Sequence, residues 1–163
     1  MIYDFRMDPD AGDIGKGNNN SDSKIFFLKL VEIMPNINIH TIKGVRSPEE
    51  LRKLADVVQQ CSLDYFKAPP KDRYQIITQH EPYEIICEDT NLGLKRTDKL
   101  VFIQVFQQGR TAEVKQQFYA KLAEHLKAEC GLEGGDLLVT CIENRKEDWS
   151  FGNGEAQFLT GAL

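Results

Sequence analysis

The sequence predicts an α+β fold: two β-α-β repeats forming a four-stranded sheet that carries two helices on one face. Three observations lead there. The 163 residues are 41% hydrophobic and 28% charged, the fractions of an ordinary globular domain with enough chain to bury a core. From residue 35 onward the chain repeats with an offset of 64, Arg46-Ser47 matching Arg110-Thr111, Glu49 matching Glu113 and Asp72 matching Asp136. Each half then reads as a short strand, a helix-length amphipathic stripe and a second short strand.

The elements follow in order. Pro35–Ile42 alternates, with Ile37 and Ile39 on one side and Asn36, Asn38 and His40 on the other, which is the period of a half-buried strand. Ser47-Pro48-Glu49-Glu50 opens a helix: serine caps, proline suits the first helical position, and Glu50 completes a capping box. Leu51, Leu54, Ala55, Val58, Cys61 and Tyr65 form its apolar stripe, and Ala68-Pro69-Pro70 ends it. A second strand is expected near Tyr74–Thr78. Leu100–Phe106 is nearly all apolar and reads as a central strand buried on both faces. Thr111 caps a helix carrying Val114, Phe118, Leu122 and Leu126, Gly131 stops it, and Leu137–Ile142 returns as a strand. The halves, 35–98 and 99–163, make one domain. With both helices on one face the other face of the sheet is bare, so self-association is expected.

Residues 1–34 read differently. Gly15–Ser23, GKGNNNSDS, is polar and of low complexity, and Lys24–Ile33 is a brief apolar burst. The regular pattern starts directly after Met34. This segment is expected to be a non-native extension or the product of a misplaced start, without order at least to residue 23. A natural extension that packs as an extra element, or a fusion remnant, are the alternatives.

Several function classes are disfavoured. The net charge is −5 and there is no basic stripe, so nucleic acid is not an expected partner. No stretch reaches the roughly 20 apolar residues of a membrane span. Cys61, Cys87, Cys130 and Cys141 form no CxxC pair and have no histidine at zinc-ligand spacing. Buried reduced thiols in a cytoplasmic protein, with no metal or organic cofactor, are the expectation. His40, His80 and His125 receive no catalytic role.

Pro35 is the first candidate for chemistry. Directly after a methionine that processing removes, it becomes a secondary amine, a group that burial and nearby charge tune as an acid or base near neutrality. As an internal residue it merely begins a strand, and its amide nitrogen does no such chemistry. Asp72 stands at a strand entrance, as a loop acid or as a carboxylate reaching a site. Arg110 stands in a strand-to-helix loop, suited to a carboxylate ligand or simply to solvent. Trp149, Phe151, Phe158, Leu159 and Leu163 form a late aromatic and apolar cluster that walls a pocket or seals an interface.

Met34-Pro35 before a strand, the RS- and RT-capped helices, DRYQ at 72–75, QH at 79–80, EDT-LG at 88–93 and ENR-EDWSFGNG-A-FLTG at 143–161 together resemble the malonate semialdehyde decarboxylase group of the tautomerase superfamily, over essentially all of 35–163. The resemblance implies a homotrimer with an N-terminal proline at the floor of each site, acting without cofactor. It implies that Pro35 is the catalytic amine, that Asp72 positions water or the reacting carbonyl, and that Trp149, Phe151, Phe158 and Leu163 wall the pocket. The group has two arginines, two apart, after the third strand; here Arg110 is present and Gln108 holds the other place. A glutamine offers hydrogen bonds but no charge. The implied substrate is a small 2- or 3-oxo acid, and the implied reactions are keto–enol tautomerisation, decarboxylation and hydration. With residues 1–34 retained, the same fold reads instead as a non-catalytic trimeric structural or binding protein.

Overall fold

The computed structural model describes residues 35–163; the expectations for 1–34 fall outside the described residues. The chain runs β1 (Asn36–Ile42), α1 (Pro48–Tyr65), β2 (Tyr74–His80), β3 (Val101–Gln107), α2 (Ala112–Cys130), β4 (Leu137–Glu143) and a short α3 (Gln157–Thr160). The sheet order is β2-β1-β3-β4. β1 pairs in parallel with β2, β3 in parallel with β4, and β1 antiparallel with β3. Two β-α-β units therefore meet along the β1–β3 seam, as the repeat predicts.

Both helices begin as their caps dictate. The Ser47 hydroxyl accepts from the Glu50 amide at 3.2 Å while the Glu50 carboxylate accepts from the Ser47 amide at 2.7 Å, so two donors at the helix start are satisfied reciprocally. Thr111 accepts from the Val114 amide, and Gly131, at φ 62°, takes the left-handed turn that closes α2. α1 stops at Tyr65, before the prolines, because Lys67 turns left-handed at φ 54° and the Ala68 amide returns to the Ser62 carbonyl.

The core lies between the helices and one face of the sheet. Ile37, Ile39, Val101, Ile103 and Val105 meet Leu54, Val58, Phe118, Leu122 and Leu126. Phe66 stacks on Phe118 with ring centroids 4.0 Å apart. β3 departs from expectation. Its burial alternates, with Phe102, Gln104 and Phe106 only half-buried, because among the described residues no helix lies over one face of the sheet. The cysteines depart too: all four are free, but only Cys61 is buried. β2 runs on to His80, since an edge strand with one open face tolerates Gln79 and His80.

Candidate functional site

Strand polarity gathers the candidate residues at one end of the sheet. β1 and β2 begin there, and β3 and β4 end there. Asn36 pairs with Tyr74 on one side and with Phe106 on the other, while Gln107 pairs with Glu143. Pro35, which is buried, therefore enters β1 between Arg73, at the mouth of β2, and Gln107, at the end of β3. Asp72 precedes Arg73, and Gln108 and Arg110 follow Gln107.

Asp72 is 4% exposed, and neither of its carboxylate oxygens makes a hydrogen bond among the described residues. Its backbone, by contrast, is held firmly. Its amide donates to the Pro69 carbonyl at 2.9 Å, and its carbonyl accepts from the Gln59 side-chain amide at 2.9 Å. Burial pushes the carboxyl up to about 6, against the pull of the Arg110 guanidinium. A carboxyl in that position takes up and releases protons close to neutrality.

Arg110 is partly engaged by the protein. Its Nη1 donates to the Gln108 carbonyl and its Nη2 to the Phe66 carbonyl, both at 2.9 Å, and the guanidinium lies 5.5 Å from the centre of the Phe66 ring. Burial lowers its pKa, and the Asp72 carboxylate opposes that. Two of its five N–H donors are thus occupied by backbone carbonyls, leaving three for a ligand.

The internal repeat sharpens the contrast. At the opposite end of the sheet Asp136, the match of Asp72, accepts from the Thr97 amide at 2.5 Å and the Thr97 hydroxyl at 2.7 Å. Arg46, the match of Arg110, donates to Thr41 Oγ1 at 2.7 Å and to the Lys99 carbonyl at 2.6 Å. By the same offset Lys99 stands where Pro35 stands in the first half. One end of the sheet thus closes this acid, base and strand start into a structural cluster. The other end, where Pro35 enters β1, leaves the acid without a hydrogen bond among the described residues.

Further polar groups converge on the same end. The Nε2 atoms of Gln107 and Gln108, Asn144 Oδ1 and Trp149 Nε1 are buried and make no hydrogen bond among the described residues. Buried polar atoms are ordinarily paired, at a cost on the order of 1–3 kcal/mol when they are not. A cluster of unpaired ones marks a place that a polar ligand would complete. Gln107 and Asn144 were not among the sequence candidates. The signal for Gln107 was a glutamine continuing the buried series Val101, Ile103, Val105, where it is 0% exposed; its Oε1 accepts from the Arg110 amide.

The aromatic wall forms within one chain. Trp149 stacks on Phe151 at 5.3 Å, Phe158 meets Phe151 edge-on at 5.3 Å, and Tyr74 lies 5.9 Å from Phe151. The Gln157 side chain ties this tail together, accepting from the Phe151 amide and donating to the Gly152 carbonyl. Trp149 shares a hollow of about 410 Å³ with Asn36, Arg73, Tyr74, Gln75 and Ile76. Leu163, assigned to the wall by resemblance, is 58% exposed.

A family model described as "Tautomerase enzyme" matches residues 35–95, and a second of the same description matches 72–152. The probable tautomerase YrdN of Bacillus subtilis (strain 168) is 47% identical over 130 residues, 80% of this chain and all of that one. The chain belongs to the tautomerase family. Within that family it resembles malonate semialdehyde decarboxylase, whose wild-type, proline-to-alanine mutant and inactivated crystal structures address decarboxylase and hydratase activities. The match is 38% identical, with a TM-score of 0.75 over 78% of this chain and 98% of that one. The fold alone is shared with a symmetric trimer of fused wild-type 4-OT, 21% identical, with a TM-score of 0.62 over 77% of this chain and 98% of that one. Tautomerase-family neighbours thus carry the same four-stranded sheet and two helices. No helix among the described residues is long and apolar enough to cross a membrane.

Proposed function

We propose that the working form of this tautomerase-family protein begins at Pro35 and is a cofactor-independent enzyme for small oxo acids. One observation carries the reading. A buried carboxyl poised near neutrality, a guanidinium and amide donors unpaired among the described residues share the end of the sheet at which Pro35 leads into β1. Two others support the start point: a family model begins its match at Pro35, and the match to YrdN spans 130 residues, the length of Met34–Leu163.

In this reading Arg110 anchors the substrate carboxylate through its remaining donors. The Gln107 and Gln108 amides donate to the oxo oxygen. Protonated Pro35 delivers a proton to the enol carbon while the enol O–H proton passes to Asp72, which completes an enol-to-keto conversion. For a 3-oxo acid, the same cation polarises the carbonyl while the carbon–carboxylate bond breaks. Carbon dioxide leaves, and the resulting enolate carbon takes the proton. Trp149, Phe151 and Phe158 keep water from the apolar part of the substrate. With glutamine in place of a second guanidinium, a monocarboxylate with one neutral carbonyl suits the site better than a dianion.

Assembly is part of the proposal. Among the described residues the large apolar side chains that stand exposed are Tyr74, Ile76 and Ile77 on β2, Tyr83, Ile86, Leu92 and Leu94 in the following segment, and Leu159 and Leu163 in the tail. None belongs to α1 or α2, so the surface left for other copies lies along β2, that segment and the tail. A homotrimer is the expected assembly.

The test compares a chain starting at Met34, with its methionine removed, against the same chain carrying Pro35→Ala. Phenylpyruvate enol and malonate semialdehyde are the substrates, and sedimentation reports assembly. Turnover should fall by at least about a hundredfold with the assembly intact, the scale of losing a positioned acid–base group. Equal turnover would remove Pro35 from the chemistry, and turnover of neither substrate by the parent chain would favour the binding-protein alternative.

A further inference from the structure

Asp72 and Arg110 carry opposite charges at the same end of the sheet and sense one another. Burial raises the Asp72 carboxyl while the Arg110 guanidinium pulls it down, and burial lowers Arg110 while the Asp72 carboxylate opposes that. Yet neither carboxylate oxygen of Asp72 makes a hydrogen bond among the described residues, so the two form no hydrogen-bonded ion pair. Buried charges of opposite sign ordinarily close on each other, because each costs free energy while it has no partner. This guanidinium is held elsewhere. Its Nη1 donates to the Gln108 carbonyl and its Nη2 to the Phe66 carbonyl, both at 2.9 Å, and its central carbon lies 5.5 Å from the centre of the Phe66 ring. Phe66 is itself fixed, 3% exposed and stacked on Phe118 at 4.0 Å. Lys67 turns left-handed directly after it, at φ 54°, so the Phe66 carbonyl leaves the helix ladder and is available to Arg110.

We propose that Phe66 is a positioning residue: its ring and carbonyl keep the Arg110 guanidinium from closing on the Asp72 carboxyl, which leaves the arginine free to bind a carboxylate and the acid free to move a proton. The tasks of the two groups rest on the oxo-acid reading; their separation does not. A guanidinium is planar and weakly hydrated, and it gains from an aromatic face within about 6 Å. The ring and the two carbonyls therefore compete with Asp72 for the same cation. The repeat supplies a comparison. Cys130, the match of Phe66, stands beside Arg46, the match of Arg110, at the opposite end of the sheet. The fold thus brings a helix end to the arginine at both ends of the sheet, and the aromatic ring stands at the candidate site. Other ionisable groups around the pair are Cys141 on β4, beside Arg110, with Lys115 of α2 next to it, and Arg73, tied to Asp56 of α1 at 2.7 Å. In the form that begins at Pro35, its amine joins them. Substituting Phe66 removes none of these groups.

The Asp72 carboxyl of the full chain is followed through its titration by carbon-13 NMR. Phe66→Leu keeps apolar bulk against Phe118 and takes away the aromatic face. The released guanidinium should close on Asp72, and the midpoint should drop from about 6 by at least about tenfold in proton affinity. Arg110→Gln alone should raise the midpoint, because the pull of the cation is gone. Adding Phe66→Leu to Arg110→Gln should change nothing further, since the drop runs through Arg110. Phe118→Leu, which loosens the same stack from its other side, should leave the midpoint in place. In the form that begins at Pro35, Phe66→Leu should also raise KM for the oxo acid at least about tenfold and move the acid limb of the pH–rate profile to lower pH. A midpoint unchanged or raised in Phe66→Leu, a drop that persists without Arg110, or an equal drop in Phe118→Leu would each overturn the proposal. If Phe66→Leu does not fold, the nitrogen-15 spectrum of the unmodified chain decides. A held guanidinium gives separate Arg110 Nη1 and Nη2 signals, and signals merged by fast rotation refute the hold. Midpoints as expected in a parent chain that turns over no oxo acid would remove the oxo-acid reading and leave the separation standing.

Discussion

The Asp72 carboxyl, buried and without a hydrogen bond among the described residues, should carry a stability penalty, and Asp72→Asn reads it. Burial raises this group from an ordinary 3.8 to about 6. At about 1.4 kcal/mol per tenfold change in proton affinity, ionising it in the native protein costs about 3 kcal/mol more than in the unfolded chain. The sign follows from proton counting. Between pH 3.8 and about 6 the unfolded carboxyl has lost its proton and the native one has kept it. The native state binds more protons, so stability falls as pH rises through that window. Asparagine keeps the shape and removes the charge, at the loss of an anion near Arg110. The variant should be more stable than the parent by roughly 1–3 kcal/mol at about pH 7.5, and the gap should close toward about pH 4. Urea titrations at several pH values, at one fixed protein concentration because assembly contributes to stability, give the comparison. A variant less stable than the parent at pH 7.5, or a gap that does not change with pH, would refute the reasoning. In the proposed function the same substitution should also slow turnover of the oxo acid, since Asp72 takes up the enol proton there.

Two further substitutions test how the site and the second repeat are held. Gln59→Leu removes the buried donor to the Asp72 carbonyl and should destabilise the chain by about 1–3 kcal/mol. Because Gln59 acts through Asp72, it should also lower kcat more than it raises KM and shift the acid limb of the pH–rate profile, which a loss of stability alone does not do. Gly135→Ala places a Cβ 2.6 Å from the Lys95 carbonyl oxygen, next to the Arg96 hydrogen bond to the Gly135 carbonyl. A backbone shift there should cost about 1–3 kcal/mol, read as a lower urea midpoint with little change in KM.

Much of the fold was legible because its signals are local. The caps at Ser47 and Thr111, the stop at Gly131 and the alternation through Ile37 and Ile39 each follow from chemistry within a few residues. The order of the strands came from the repeat, a longer-range signal that the chain carries openly. What was hidden depends on what lies over a surface. Leu100–Phe106 looks buried on both faces, because sequence registers that Phe102 and Phe106 are apolar but not that the helices leave their side uncovered. Cys87, Cys130 and Cys141 were read as buried for the same reason. The clustering of Pro35, Asp72, Gln108 and Arg110 was foreshadowed by resemblance and is placed by strand polarity. Gln107, Asn144 and Gln59 went unnoticed because a glutamine or asparagine in isolation has no sign of its role; only burial without a partner, or a bond to a particular carbonyl, reveals one.

The repeat also accounts for why the candidate site lies at one end of the sheet and not the other. Arg46 and Asp136 have the residue types of Arg110 and Asp72, yet the Thr97 amide and hydroxyl satisfy Asp136, and Thr41 and the Lys99 carbonyl occupy Arg46. The difference lies at the strand start. The donor that satisfies Asp136 is Thr97, two residues before Lys99. Its match in the repeat is residue 33, two residues before Pro35 and outside the described residues. Under the proposed start at Pro35 no residue stands at that place, so Asp72 keeps no such partner, and burial raises its proton affinity. Arg110 meanwhile donates to the carbonyls of Gln108 and Phe66. On this argument the start of the chain, more than the residue types that the repeat shares, makes the acid available.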